Sequence, residues 1–166
     1  FAHEWAAIEP DIMMVAKGIG GGFPIGAVLA TQEAASGMTT GTHGSTYGGN
    51  PLGCAVGSAV LDQVADPAFL AEVNRKSDLL RQGLEVLVLQ FPTLFSGLAG
   101  TGLMLGLKCI ASNIDVVNAG YTAEVLTVPA AENVVRILPA LNITDDDIEA
   151  ALLRLEAAAL IVQSAQ

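Results

Sequence analysis

The chain has 166 residues, 52% of them hydrophobic, and carries 7 Lys and Arg against 17 Asp and Glu, for a net charge of −10. So acidic a balance argues against nucleic acid or an anionic membrane as partner, while the length suffices to bury roughly 70% of the unfolded surface in a core. Cys54 and Cys109 stand far apart without CxxC spacing, so neither a metal site nor a disulfide framework is expected, and two unpaired thiols suit a reducing cytoplasm.

Residues 1–10 read as a short helix or loop, with no chemistry attached to His3. The stretch DIMMVAKGIGGGFPIG that follows organises the chain. Residues 12–16 are a continuous apolar run of strand length, which predicts a strand buried on both faces, and the run delivers Lys17 at its end. Burial there would favour the neutral amine, the form that attacks a carbonyl and makes a Schiff base. Gly18, Gly20, Gly21 and Gly22 leave space beside that amine, enough for a cofactor. The alternative is a lysine that merely caps the strand and reaches solvent. A Walker loop needs its lysine after the glycines and the dinucleotide fingerprint needs GxGxxG; the sequence Gly18-Ile19-Gly20-Gly21-Gly22-Phe23 matches neither.

Residues 25–31 predict a neighbouring strand. A glycine-rich loop over 37–50 is long enough to suggest function or an interface. From Ala34 to Leu61 there is no Asp, Glu, Lys or Arg, yet the Gly, Ser, Thr and Asn content excludes a transmembrane helix, so this segment is expected to be covered by protein. Within it, the hydroxyls of Ser45 and Thr46 and the loop N–H groups suit a phosphate, or else form an ordinary polar turn. Asn50 and Pro51 are a cap and first position for a helix over 51–64, apolar all round and therefore expected to be buried.

Asp66 and Pro67 start a second helix that ends before Pro92, with Leu70, Val73, Leu80, Leu84 and Leu87 as its apolar stripe. Its opposite face, Glu72, Arg75, Lys76, Asp78, Arg81 and Glu85, reads as solvated. Residues 103–109 predict a strand, 115–121 a short helix, and 125–128 with 134–138 a hairpin-like pair of strands. Arg136 falls inside the apolar run VVRILP, where a guanidinium is costly unless it meets an anion. That anion is a carboxylate gripped by two hydrogen bonds, either from a ligand or from an acidic side chain. Thr144 with Asp147 caps a final helix, whose expected buried stripe is Ile148, Ala151, Leu152, Leu155, Ala159 and Val162.

The motifs PDIMMVAKGIGGGFPIGAVLAT and GTHGSTYGGNPLGCAV, followed by GLMLGLKC and NVVRILPAL, resemble in order the active-site half of the class III pyridoxal-phosphate-dependent aminotransferases, and the likeness runs almost to the C-terminus. The resemblance implies an α/β fold of the fold-type I kind, with residues 1–65 finishing a large cofactor domain and 66–166 forming a small α/β domain. It implies transfer of the δ-amino group of N2-acetylornithine to 2-oxoglutarate, in arginine biosynthesis, by a cytoplasmic homodimer. The neighbouring possibilities are ornithine, succinylornithine or 4-aminobutyrate as donor, or a fragment that only dimerises.

By the same resemblance Lys17 holds pyridoxal phosphate and later shuttles the substrate proton. Thr46 bonds the phosphate held by the other subunit, Ser45 lies at the substrate, and Arg136 clamps the α-carboxylate shared by the amino acid and 2-oxoglutarate. His43 has no identified partner and is assigned a structural role. The chain then corresponds to the C-terminal part of a longer enzyme, with the Asp for the pyridinium nitrogen, the stacking aromatic and most of the phosphate cup lying before Phe1, and it is not expected to be active alone.

Overall fold

Capping chemistry sets the helix starts in the computed structural model, which describes residues 1–165. The elements fall into two compact units, Phe1–Pro67 and Ala68–Gln166. In the first, α1 (Ala2–Trp5) precedes β1 (Ile12–Ala16), a 3-10 turn (Lys17–Gly20), β2 (Gly26–Ala30), α2 (Gln32–Ala35) and α3 (Pro51–Val64). Asn50 caps α3, its Oδ1 accepting from the Gly53 N–H at 2.7 Å, and Pro51 occupies the first helical position, so one orphan donor is satisfied and another is absent.

β1 and β2 form an antiparallel pair from Ile12 opposite Ala30 to Ala16 opposite Gly26. The expectation that β1 is buried on both faces is not met: Met14 is 80% exposed, Ile12 is exposed too, and all of β2 is open. Two strands of five residues cover little of one another, and nothing else in this unit lies over them as a layer. The helix α3, also expected to be buried, buries only Gly53 and Gly57. Its contact is with the 3-10 turn, where a Cβ at Gly21 would come within 2.9 Å of Val60 Cγ2.

The second unit holds a core of its own. Helix α4 (Pro67–Gln90), β3 (Phe95–Thr101), β4 (Met104–Cys109), α5 (Asn113–Thr122), β5 (Val128–Ala130), β6 (Val134–Ile137) and α6 (Asp145–Ser164) follow in order. The strands make one antiparallel sheet in the order β3-β4-β6-β5. Leu80, Leu84, Leu94, Phe95, Leu105, Leu107, Val135 and Ile148 are almost wholly removed from water. Each such side chain contributes roughly 1.5–3 kcal/mol of transfer free energy, so this cluster fixes the unit. Leu152 of α6 packs over Gly83 of α4, where a Cβ would overlap it.

Several expectations are corrected here. Strand β3 was not anticipated. In α4 the buried stripe is Val73, Ser77, Leu80, Leu84 and Leu87, while Leu70, in the first turn, is exposed. The face read as merely solvated makes tertiary contacts. Arg75 pairs with Glu72 and reaches Asp145 at 2.6 Å, holding both carboxyls below their ordinary pKa by hydrogen bonding, and Arg81 donates to the Gly100 carbonyl at 2.8 Å. In α6 the stripe is Ile148, Leu155, Ala158, Ala159 and Val162, with Ala151 and Leu152 half-buried. Its cap is as expected, the Asp147 N–H donating to Thr144 Oγ1 at 3.1 Å.

The strand expected at 125–128 begins only at Val128, because the Val125 N–H is taken by the Gly120 carbonyl at 2.9 Å and still belongs to the end of α5. Thr127, between them, is buried, and its hydroxyl has no hydrogen-bond partner. A buried, unpaired hydroxyl carries a desolvation cost that an isosteric methyl lacks. Thr127→Val is therefore expected to stabilise the protein by about 1 kcal/mol, read as a higher urea midpoint at unchanged slope. A lower midpoint would mean that the hydroxyl is satisfied after all.

Candidate functional site

Lys17, Ser45 and Thr46 belong to the first unit and Arg136 to the second. Lys17 opens the turn that follows β1, with φ 55, while Ala16 before it is fully extended at φ −156. A side chain at positive φ costs roughly 1–2 kcal/mol relative to the right-handed region, and strain of this kind is retained where the surroundings over-determine it. Here they do. The turn closes through Gly21 N–H to Gly18 O at 3.1 Å and Phe23 N–H to Gly20 O at 2.8 Å, and a Cβ at Gly20 would sit 2.7 Å from Ile25 Cγ2. On the open side there is nothing within 4 Å of where Cβ atoms of Gly18 and Gly22 would stand.

The lysine is exposed and, among the described residues, forms no ion pair. The water exclusion expected around its ammonium is thus not supplied by this chain, for the reason that leaves β1 uncovered: the hairpin has no further layer over it. What the local sequence does supply is a fixed strand end and free space beside it.

Ser45 and Thr46 lie in the exposed loop 37–50. The loop is shaped by its own hydrogen bonds. Thr42 Oγ1 donates to the Thr39 carbonyl at 2.7 Å, and Asn50 Nδ2 donates to the Tyr47 carbonyl at 2.9 Å. Gly48 stands so near Ser45 that a Cβ there would meet Ser45 Cβ at 3.0 Å, which turns the chain sharply at these two hydroxyl residues. Neither hydroxyl, nor the imidazole of His43, is engaged in a hydrogen bond among the described residues. Tyr47, next to Thr46, is 82% exposed.

Arg136 lies in β6, opposite Gly106 of β4 on one side and Val128 of β5 on the other. Val135 and Ile137 face the core, so Arg136 and Val134 face the other side of the sheet. The guanidinium is half-buried, and its Nε is removed from solvent with no hydrogen-bond partner. No acidic side chain among the described residues pairs with it. A desolvated N–H of a permanent cation is a strong unmet donor, and a planar anion such as a carboxylate satisfies it best.

Elsewhere the surface offers little chemistry. An open groove of about 430 Å³ between α5 and the end of α6 is lined by residues including Ser112, Asp115 and Asn118, and it contains none of these candidates. No cluster of metal-ligating side chains occurs among the described residues, and no helix there is long and apolar enough to cross a membrane. The sequence did not single out Asn113 and Asn133, whose side chains bracket the start of β6. An Asn just ahead of an apolar strand is the available signal, since Asn tolerates left-handed backbone.

Comparison with known proteins identifies the family. Residues 1–159 match the family Aminotransferase class-III. The acetylornithine aminotransferase of Rhodobacter capsulatus is 60% identical over 164 residues, which are 99% of this chain and 42% of that protein. The crystal structure of N-acetylornithine aminotransferase from Stenotrophomonas maltophilia matches with a TM-score of 0.87 at 35% identity, over 100% of this chain and 44% of that one. An ornithine aminotransferase from Toxoplasma gondii, crystallised with oxidised glutathione and with pyridoxal phosphate (PLP) partly occupying its active site, matches with a TM-score of 0.88 at 29% identity, covering 98% of this chain and 40% of its own. The chain thus spans about 42% of the length of the curated relative it matches. With the family matched over nearly its whole length, the lysine turn and the arginine strand included, the chain belongs to the class-III aminotransferases, enzymes that work with pyridoxal phosphate.

Proposed function

We propose that this chain supplies the lysine turn and the carboxylate clamp of an aminotransferase that moves the δ-amino group of N2-acetylornithine to 2-oxoglutarate, a step of arginine biosynthesis. The observation that carries this reading is the likeness to acetylornithine aminotransferases across almost the whole chain. Residues 1–65 then close the large cofactor domain and 66–166 form the small one. The rest of the site comes from sequence that the longer relatives possess.

The residues present fit the cofactor. An exposed amine on a fixed strand end, open space over Gly18 and Gly22, and two free hydroxyls in an uncharged loop are what an aldehyde-bearing aromatic phosphate requires. Bound pyridoxal phosphate supplies the carbonyl for the amine and a ring that withdraws electrons from the substrate carbon. Lys17 anchors the cofactor and, once displaced, holds and returns the proton of that carbon. Arg136 orients both substrates through the carboxylate they share. Its buried Nε, without a hydrogen-bond partner among the described residues, is consistent with this assignment.

Thr46 acts across a homodimer in this reading and holds the phosphate bound near the partner's lysine, with Ser45 beside the substrate. The uncharged segment 34–61 and the open sides of α3 support an interface of the large obligate class, roughly 2,000–5,000 Å². A cytoplasmic setting belongs to the same reading, supported by the free thiols of Cys54 and Cys109. The likeness to ornithine aminotransferases keeps ornithine as the second candidate donor.

Three outcomes are expected of the complete polypeptide. Reduction with borohydride after adding pyridoxal phosphate should leave the pyridoxyl mass on the Lys17 peptide, and glutamate should form from 2-oxoglutarate faster with N2-acetylornithine than with ornithine. A reversed preference assigns ornithine, and no adduct leaves a protein that only dimerises. Arg136→Ala should cost roughly 2–5 kcal/mol of interaction with both substrates, seen as higher KM for donor and keto acid alike, while the Lys17 adduct still forms; unchanged KM values would return Arg136 to a structural role. Finally, Lys17→Ala and Thr46→Val chains expressed together should regain activity that neither has alone, because some heterodimers then contain one intact site. No gain over the parents would mean that Thr46 serves its own chain or none.

A further inference from the structure

The face on which Arg136 emerges depends on the register of a very short strand. β6 has four residues, and a slip of one position would turn Arg136 into the core and bring Val135 out. The edge strand β5 restrains that register weakly, since it offers three pairs and the middle one is Pro129, which has no N–H. On the other side β4 holds it through four pairs, from Lys108 opposite Val134 to Leu105 opposite Ile137, and a further restraint is gathered at Asn133, immediately before β6. Asn133 has φ 57, its Nδ2 donates to the carbonyls of Cys109 and Ala111, both at 2.8 Å, and its Oδ1 accepts from the Asn113 N–H at 2.9 Å. Its own carbonyl accepts from the Cys109 N–H at 2.9 Å. From the other side, Asn113 Nδ2 donates to the carbonyls of Ala130 and Val134. One side chain thus ties the end of β4 and the start of α5 to the residue that precedes the arginine strand.

We propose that Asn133 is a positioning residue for Arg136: its side-chain hydrogen bonds fix β6 in the register that sets the guanidinium opposite Gly106, on the face where the substrate carboxylate is bound. The inference rests on the reading of Arg136 as that clamp. Asn133 touches no substrate and acts only through the strand. The rest of that sheet face supports the assignment, since Gly106 brings no side chain beside the arginine and Val128 brings an apolar one.

The test uses the complete holoenzyme. Asn133→Gly keeps the left-handed backbone accessible and deletes the side-chain bonds, while freeing the backbone at that position. KM for both the amino donor and 2-oxoglutarate should rise about tenfold, with kcat within about twofold, and amide exchange over residues 134–137 should quicken while that of α4 does not. In an Arg136→Ala background the same change should add nothing further to KM. Unchanged exchange at 134–137, or an equal rise in KM in both backgrounds, overturns the proposal. If Arg136→Ala alone leaves KM unchanged, the clamp reading fails, and faster exchange at 134–137 still upholds Asn133 as the residue that holds the strand. Should Asn133→Gly not fold, Asn113→Ala, which removes the bonds to Ala130 and Val134, is expected to show the same pattern in milder form; normal KM and exchange in that variant overturn the proposal.

Discussion

Both charged candidates are reached through a non-glycine residue held in left-handed backbone at the end of a strand. Lys17 has φ 55 where β1 stops, and Asn133 has φ 57 where β6, the strand of Arg136, begins. A strand alone continues straight, and a loop alone wanders. A strained residue at the junction, fixed by neighbours, gives the next side chain one direction. At Lys17 the fixing comes from a glycine turn packed on α3, and at Asn133 from hydrogen bonds to residues 20 to 24 positions away in sequence.

How much of this could be read from the sequence follows from the range of the interactions. The starts of α3 and α6 were legible because Asn50 with Pro51, and Thr144 with Asp147, act within three residues. Arg136 stood out because a cation in an apolar strand is conspicuous whatever surrounds it. Asn133 did not, since its partners Cys109, Ala111 and Asn113 come near only after the sheet has formed. Strand β3 escaped notice because Gly97 and Gly100 interrupt its apolar pattern, with a bulge between Phe95 and Gly97. The apolar run of β1 was read correctly as a strand, but what covers a strand is decided by elements elsewhere, and within this chain little does.

The two units differ in self-sufficiency. The second has a sheet, three helices on a shared core and polar ties such as Arg75 to Asp145. The first has apolar composition without the layers to bury it, and its well-defined part is the contact of the 3-10 turn with α3. The candidate catalytic amine thus sits in the less enclosed half, and the carboxylate-seeking arginine in the better enclosed one.

The strand edges carry a last consequence. In the second unit the sheet ends on one side at β5, three residues long with Pro129 in its middle, and on the other at the bulged β3. Both devices discourage a further strand from adding. The hairpin of the first unit has neither: β1 and β2 are IMMVA and GAVLA, uncharged and without proline, and each has a free side in this chain. Backbone donors and acceptors along such open sides pair with whatever extended chain they meet. Among the described residues, the backbone edges most able to pair with another extended chain are therefore those of the hairpin that leads to Lys17.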